Sequence, residues 1–362
     1  MIRVLQVGLG PNPGGIENCI MNYYRHIDRE KFQFDFADIY GEGLAFEEEI
    51  SGLGGKIWKF LRFKKHPFLF LKEFSRVLES ESYDLIHINL LSAANILPVL
   101  IAHKKKKGKV IVHCHNSGIP AGTLRRLLHH VNRPILRKIA EYKWACGQNA
   151  GNWMWGDRFP SKDIVCNAID REKYSRNDHD RELLRKQLNI QENETLLGFV
   201  GRLEEQKNPL FLLEILKELS VVGSKYKLLL LGDGSFRAEM QNRAKDLFLE
   251  DKVIFLGIQK EVAQWYSAMD FFLLPSFFEG LPVVAIEAQA GGLPCFLSDS
   301  ITKETDISGN ITFLSIRQGG KVWAEAIREA DTKKTVENMD FPEEYDIFYA
   351  VRNLEEKYME LM

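Results

Sequence analysis

Pro275-Ser276-Phe277-Phe278-Glu279-Gly280-Leu281-Pro282-Val283-Val284-Ala285-Ile286-Glu287-Ala288 passes from strand to loop to helix within one short stretch. The apolar run before it ends at Pro275, and the loop carries Glu279. Pro282 suits the first turn of a helix, where its fixed φ is useful and its missing N–H is not needed. A buried strand followed by a loop and a helix is the repeating unit of a parallel sheet covered by helices. Outward from this stretch the same order recurs twice along the chain. In the second half, strands are expected at 195–200, 227–231, 252–256, 270–274 and 294–297 and helices near 208–220, 235–248, 260–268, 282–290 and 320–330. In the first half, strands are expected at 2–7, 33–38, 84–88 and 110–114 and helices near 16–26, 67–80, 92–106 and 124–139. The expected class is therefore α/β, with two Rossmann-like domains, each built on a parallel sheet.

The length agrees with that division. A chain of 362 residues with 45% hydrophobic content exceeds what one core usually organises, and this composition excludes a disordered or fibrous protein. Five scattered cysteines, Cys19, Cys114, Cys146, Cys166 and Cys295, form no CxxC pair, so they read as packing residues of a cytoplasmic protein rather than disulfides or a zinc site. The opening Met1-Ile2-Arg3-Val4-Leu5-Gln6-Val7 reads as a buried first strand, not a signal peptide. The apolar stretch from Leu85 to Ala102 is broken by His87, Asn89, Asn95 and Pro98, short of the roughly 20 apolar residues a membrane span needs.

Charge is distributed unevenly. Residues 1–170 carry 24 Lys and Arg against 17 Asp and Glu, and residues 171–362 carry 24 against 33, so the halves are +7 and -9 within a net charge of -2. Between them, Asp170 to Asn193 is dense in charge, which places a hinge near 168–175 and a solvated helix after it. The expected domains are 1–170 and 171–342. Residues 343–362, with Ile347, Val351, Leu354 and Tyr358 at helical spacing, should form a helix that crosses back to the first domain.

Four loops carry candidate chemistry. Gly8-Leu9-Gly10-Pro11-Asn12-Pro13-Gly14-Gly15-Ile16-Glu17 joins a strand to a helix, and the bare backbone at Gly14 and Gly15 could meet an anion at the helix N-terminus. Its glycines miss the GxGxxG spacing of a dinucleotide site, which argues against NAD. Gly201-Arg202-Leu203-Glu204-Glu205-Gln206-Lys207-Asn208-Pro209 follows its own strand, so Arg202 and Lys207 could grip a pyrophosphate with a planar fork and a point charge. Gly232-Asp233-Gly234 is a glycine turn at a strand's carboxyl end, where ligands collect in open α/β sheets. In the fourth loop, free amides within the stretch Gly280-Leu281-Pro282-Val283 would face the same anion, while Glu279 and Glu287 could accept hydrogen bonds from hydroxyls of a sugar and a ribose.

These residues resemble the retaining, two-domain glycosyltransferases of family 4, also called glycosyl transferases group 1, and among them enzymes of bacterial exopolysaccharide and capsular polysaccharide synthesis. The likeness covers nearly the whole chain. It is carried by Glu279 and Glu287, with seven residues of loop and helix between them and Ala288 and Gly291-Gly292-Leu293-Pro294 after them, by Gly201-Arg202-Leu203 with Lys207-Asn208, and by Gly14-Gly15-Ile16-Glu17. The resemblance implies a GT-B fold, with the two sheets facing across a cleft, 1–170 binding the acceptor and 171–342 the donor, no metal, no cofactor, and transfer from a nucleotide-sugar with retention. It implies that Arg202 and Lys207 neutralise the departing diphosphate, that Glu287 holds the ribose and that Glu279 meets the donor sugar. Gly257 and Ile258 would meet the nucleobase with Val262 behind them, and His115, in Val112-His113-Cys114-His115-Asn116, would face the transferred sugar. One departure is Asn167-Ala168-Ile169-Asp170, where the family usually has Asn-Gly-Ile-Asp.

Fixed cations and amides at the diphosphate would lower the barrier as the sugar becomes oxocarbenium-like. With no inline nucleophile identifiable, the family implies front-face attack by the acceptor hydroxyl. A UDP-sugar donor carrying a hexose or N-acetylhexosamine is expected by analogy, with a glycan or lipid-linked acceptor. Two basic and apolar stretches, Lys59-Phe60-Leu61-Arg62-Phe63-Lys64-Lys65 and Arg125-Arg126-Leu127-Leu128 through Arg137-Lys138, suggest peripheral contact with an anionic membrane at its cytoplasmic face. Asp178-His179-Asp180 reads as solvated charge and not as a metal ligand set. A nucleotide-sugar epimerase of the same fold and a non-catalytic binding subunit are the alternatives. Nucleic acid is not expected as a partner, because the basic stretches lack a stacking platform.

Overall fold

The computed structural model describes residues 1–63, 65–118, 122–223, 225–333 and 341–362. The chain forms two compact units, Met1–Ile169 with Glu343–Met362, and Asp170–Pro342. Each carries a six-stranded sheet whose recorded strand pairs are all parallel.

In the first unit the strands are β1 (Ile2–Val7), β2 (Phe32–Asp38), β3 (Ile57–Lys59), β4 (Leu85–Leu90), β5 (Lys109–Cys114) and β6 (Tyr142–Ala145), in the order β3-β2-β1-β4-β5-β6. β4 is buried along its whole length although His87 and Asn89 alternate with its apolar residues. The helix Gly15–His26 turns Ile16, Cys19, Ile20, Tyr23 and Tyr24 inward, the 3.6-residue stripe that its sequence dictates. The helix Ile347–Glu360 packs against it and buries Ile347, Val351, Leu354 and Tyr358. Two strands escape sequence reading, β3 and β6, which are three and four residues long and sit at the sheet edges. The helix expected from residue 92 begins only at Leu97, where the Asn95 side chain accepts the Leu97 amide at 3.2 Å and Pro98 occupies the first turn.

In the second unit the strands are β7 (Thr195–Val200), β8 (Tyr226–Leu231), β9 (Val253–Gly257), β10 (Phe271–Leu274), β11 (Cys295–Ser298) and β12 (Ile311–Leu314), in the order β12-β11-β10-β7-β8-β9. β12, a short edge strand, is the one that sequence periodicity misses. Residues 178–180 open the helix Asp178–Gln187, whose first amides are capped by Asn177, and Asp178 pairs with Arg176 at 2.9 Å. These aspartates serve a helix start.

Strand order locates the places where ligands gather. Chain connections leave β1 and β4 in opposite directions across the first sheet, and β7 and β10 in opposite directions across the second. A crevice at the carboxyl ends of such a strand pair is where open α/β sheets bind ligands. The loops after β7 and β10 carry Arg202, Lys207, Glu279 and the start of the helix Val283–Ala290.

Candidate donor site and a buried histidine row

At the switch point of the second unit, two loops are laced together. Phe277 N donates to the Gln206 carbonyl at 2.9 Å, and Gln206 Nε2 donates to the Phe278 carbonyl at 3.1 Å. Lys207 Nζ lies 2.7 Å from Glu279 Oε1, with side chains only 14% and 10% exposed. The two residues assigned to diphosphate and sugar are thus each other's partner in the structure. A cation and a carboxylate so placed can divide a sugar diphosphate between them, the ammonium toward phosphate and the carboxylate toward hydroxyls. Arg202, at the end of β7, is exposed.

The helix Val283–Ala290 starts at this point with Pro282 as its N-cap residue. Pro282 has no amide, so the expected row of donors across 280–283 is interrupted there. The first-turn amides of Val283 and Val284 lack intrahelical acceptors, as in any helix, and present the positive end of the dipole. Gly280 is half-buried, and Leu281 and Val283 are buried.

One helical turn further in, Glu287 is buried and holds two hydroxyl donors, Tyr174 Oη at 2.9 Å from Oε1 and Tyr266 Oη at 2.7 Å from Oε2. Burial pushes its carboxyl above the usual range, and the two tyrosines and Lys173 only partly offset this. Each carboxylate oxygen has a second lone pair, so the group can still accept a ligand hydroxyl. Sequence reading misses both tyrosines: Tyr174 lies 113 residues away, and nothing local marks it.

Gly232 is required where it stands. Its φ is +126°, and a Cβ there would run into the Gly201 carbonyl oxygen. Its amide donates to the Gly257 carbonyl at 2.8 Å, so the ends of β7, β8 and β9 are drawn together by bare backbone. Gly257 has a φ of +69°, and the next residue, Ile258, is 78% exposed, an apolar side chain in solvent at the carboxyl end of β9. Val262, half-buried, precedes the helix Ala263–Ala268.

In the first unit, Gly14 is the N-cap residue of the helix Gly15–His26. Glu17 bends back over this loop and its Oε1 accepts the Gly10 amide at 2.8 Å, while a Cβ on Gly14 would lie 2.7 Å from its Oε2. A Cβ on Gly15 would meet nothing within 4 Å. His115 follows β5, two strands away from the glycine loop in the order β1-β4-β5, and is buried. Its Nε2 lies 2.9 Å from Asn89 Oδ1, and burial holds the imidazole down at about 3, so it is neutral at ordinary pH. Among the described residues, no group of three or more His, Cys, Asp and Glu is placed to hold a metal ion, and no helix is long and apolar enough to cross a membrane.

The two basic stretches differ. In the first, Lys59 pairs with Glu47 at 2.8 Å and Arg62 with Glu42 at 2.9 Å, Phe60 is buried, and Lys64 lies outside the described residues. In the second, the helix Thr123–Ile139 buries His129 and Leu136 and leaves Leu124, Leu127, Leu128, Val131 and Ile135 exposed on the opposite face. That helix contains Arg125, Arg126, Arg133, Arg137 and Lys138 and no acidic residue.

Known proteins resemble the chain along most of its length. Residues 13–170 match the model described as Glycosyltransferase Family 4, and residues 180–329 match Glycosyl transferases group 1. The chain is 33% identical to the putative glycosyltransferase EpsF of Bacillus subtilis over 336 residues, 91% of this chain and 87% of that protein. It is 21% identical to the capsular polysaccharide biosynthesis glycosyltransferase CapH of Staphylococcus aureus, across 99% of both. The Anabaena protein Alr3699/HepE, solved in complex with UDP and glucose, superposes with a TM-score of 0.80 at 19% identity, covering 99% of this chain and 100% of that one. With two Rossmann-like units and a relative matched at this identity over nearly its full length, the chain belongs to the family 4 glycosyltransferases of GT-B fold.

Proposed function

We propose that the chain moves a hexose or N-acetylhexosamine from a UDP-sugar to a glycan or lipid-linked acceptor in bacterial polysaccharide assembly, with retention and without a metal. The observation that carries this reading is the Lys207–Glu279 pair between the loops after β7 and β10, with a helix N-terminus in the second of those loops. UDP and glucose bound to the Anabaena protein support the choice of base, and the CapH likeness supports the pathway.

In this reading the diphosphate is received by Arg202, Lys207 and the first amides of the helix Val283–Ala290. Ribose hydroxyls donate to Glu287, and the base lies by Gly257 and Ile258 with Val262 behind them. Gly232 leaves room for the phosphates. Glu279 accepts from hydroxyls of the sugar, and in the first unit His115 and the Gly14–Gly15 loop are the residues assigned to the transferred sugar. As the C–O bond to phosphate breaks, negative charge grows on the diphosphate, where cations and amides already point, so little reorganisation accompanies the step. The acceptor hydroxyl attacks the same face, and its proton passes to the leaving phosphate.

For the acceptor side, the apolar outer face of the helix Thr123–Ile139, which contains five cations and no acidic residue, fits the boundary of an anionic membrane, where each basic residue contributes about 1 kcal/mol. The experiment for the donor is thermal stabilisation by UDP, GDP, ADP and NAD. A ligand at about 100 times its Kd adds roughly 2.7 kcal/mol. Stabilisation by UDP that is lost in Arg202→Ala and Lys207→Ala supports the reading, and stabilisation by none of the diphosphates refutes it.

A further inference from the structure

Six buried polar side chains of the first unit form one group: Gln6, His87, Asn89, His113, His115 and Tyr358. They line one cavity of about 20 Å³, far below what a sugar or nucleotide needs. The cluster is therefore not a ligand pocket, and its hydrogen bonds have to be explained by one another.

Their proton positions follow from a fixed starting point. Asn89 Nδ2 lies 3.2 Å from the Val7 carbonyl and 3.4 Å from the His87 carbonyl, and carbonyls only accept, so the amide nitrogen belongs there. Asn89 Oδ1 must then face His115, whose Nε2, 2.9 Å away, must carry the proton. Asn89 Nδ2 also donates to Gln6 Oε1 at 3.1 Å, which turns the Gln6 amide toward Tyr358 Oη at 3.3 Å. The tyrosine accepts from Gln6, so its own proton goes to His87 Nδ1 at 2.7 Å. His87 is left with its proton on Nε2, which it gives to His113 Nδ1 at 3.2 Å. His113 then carries its proton on Nε2, a buried atom with no hydrogen-bond partner at normal distance. Every donor in the series points the same way, from His115 round to His113, whose ring lies against His115 at 3.9 Å between centroids. Burial keeps His87 and His115 at about 3 and His113 well below its ordinary value, so these are neutral rings with one proton each.

We infer that Asn89, anchored on Val7 and Gln6, is a positioning residue that fixes His115 as the Nε2–H tautomer, and that Tyr358 of the C-terminal helix extends the same control to His87 and His113. The consequence for substrate rests on the proposed role of His115. With Nε2 committed to Asn89, Nδ1, buried in this structure, is left as the lone-pair nitrogen of the ring, so a sugar hydroxyl that reaches it must donate. The tautomer itself is independent of substrate.

The test is long-range 1H–15N correlation on the full, histidine-labelled chain, with each histidine assigned by substitution. The expected result is a protonated Nε2 and a lone-pair Nδ1 at His115. Tyr358→Phe should leave His115 as it is while His87 and His113 lose their single tautomer. Asn89→Leu should mix the tautomers of His115 and lower kcat by roughly 10- to 100-fold through misplacement of the ring, with a smaller change in KM. A proton on Nδ1 of wild-type His115, or tautomers unmoved by Tyr358→Phe, overturns the inference. Failure of the transferase reading would show separately, as absence of turnover in a wild-type protein whose tautomers are as expected.

Discussion

Lys207→Ala removes one half of an ion pair that water hardly reaches. The Nζ–Oε1 distance is 2.7 Å, and the Lys207 and Glu279 side chains are 14% and 10% exposed. An exposed pair contributes about 0–1 kcal/mol. Breaking a fully buried pair by deleting one partner costs about 3–5 kcal/mol, because the other charge is left without compensation. The near-burial seen here places the loss at about 2–3 kcal/mol. For a unit the size of Asp170–Pro342 that is a fall in Tm of roughly 4–12 °C. If the cost is the stranded carboxylate, Lys207→Ala with Glu279→Gln should regain most of it, since the neutral amide tolerates the same place. Differential scanning fluorimetry of the two single variants and the double variant closes the cycle. Additive losses, or a Lys207→Ala protein as stable as wild type, would refute the reasoning. Nucleotide affinity should separate from stability: the double variant regains Tm but not stabilisation by UDP, because no ammonium remains for the phosphates.

Gly232→Ala forces a side chain into the Gly201 carbonyl at a φ of +126°; the left-handed backbone alone costs about 1–2 kcal/mol, and the clash adds to it, so a loss of more than about 2 kcal/mol is expected in chemical denaturation. Burial raises the Glu287 carboxyl, so its contribution to stability is full below the unfolded carboxylate value and is lost as pH rises through the higher folded value. Tm measured against pH should therefore lose that decline in Glu287→Gln, and the same variant should bind UDP less tightly than wild type. On the helix Thr123–Ile139, Leu127→Asp with Val131→Asp should abolish salt-sensitive co-sedimentation with phosphatidylglycerol vesicles without lowering Tm, since both side chains are exposed; wild type that stays in the supernatant would end the membrane proposal.

Strong periodic elements were legible because their signals are local. β7, β8 and β10 are apolar runs bounded by glycine, proline or charge, and the final helix declares itself through Ile347, Val351, Leu354 and Tyr358. β3, β6 and β12 were not legible, since three or four residues at a sheet edge have no period to detect and form because a neighbouring strand is already in place. The loops of the donor site could be found from glycines, charges and prolines at strand ends. Their partners could not. Tyr174 and Tyr266 reach Glu287 only through the packing of two short helices, and Gln206 is an ordinary polar residue until its loop is laid against Phe277 and Phe278. Likewise, His87 and Asn89 look like interruptions of an apolar strand in sequence, and they become a hydrogen-bonded series only when β4 lies beside β1 and β5.

The central claim is acceptor-dependent transfer from a UDP-sugar with retention at the anomeric carbon. Incubation with UDP-glucose, UDP-galactose or their N-acetyl counterparts and a lipid-linked glycan acceptor, followed by proton NMR of the product, tests it in one step. The account predicts UDP release only when acceptor is present, an α-linked product from the α-configured donor, and loss of both in Lys207→Ala. A β-linked product, or an epimerised sugar nucleotide formed without acceptor, would contradict it.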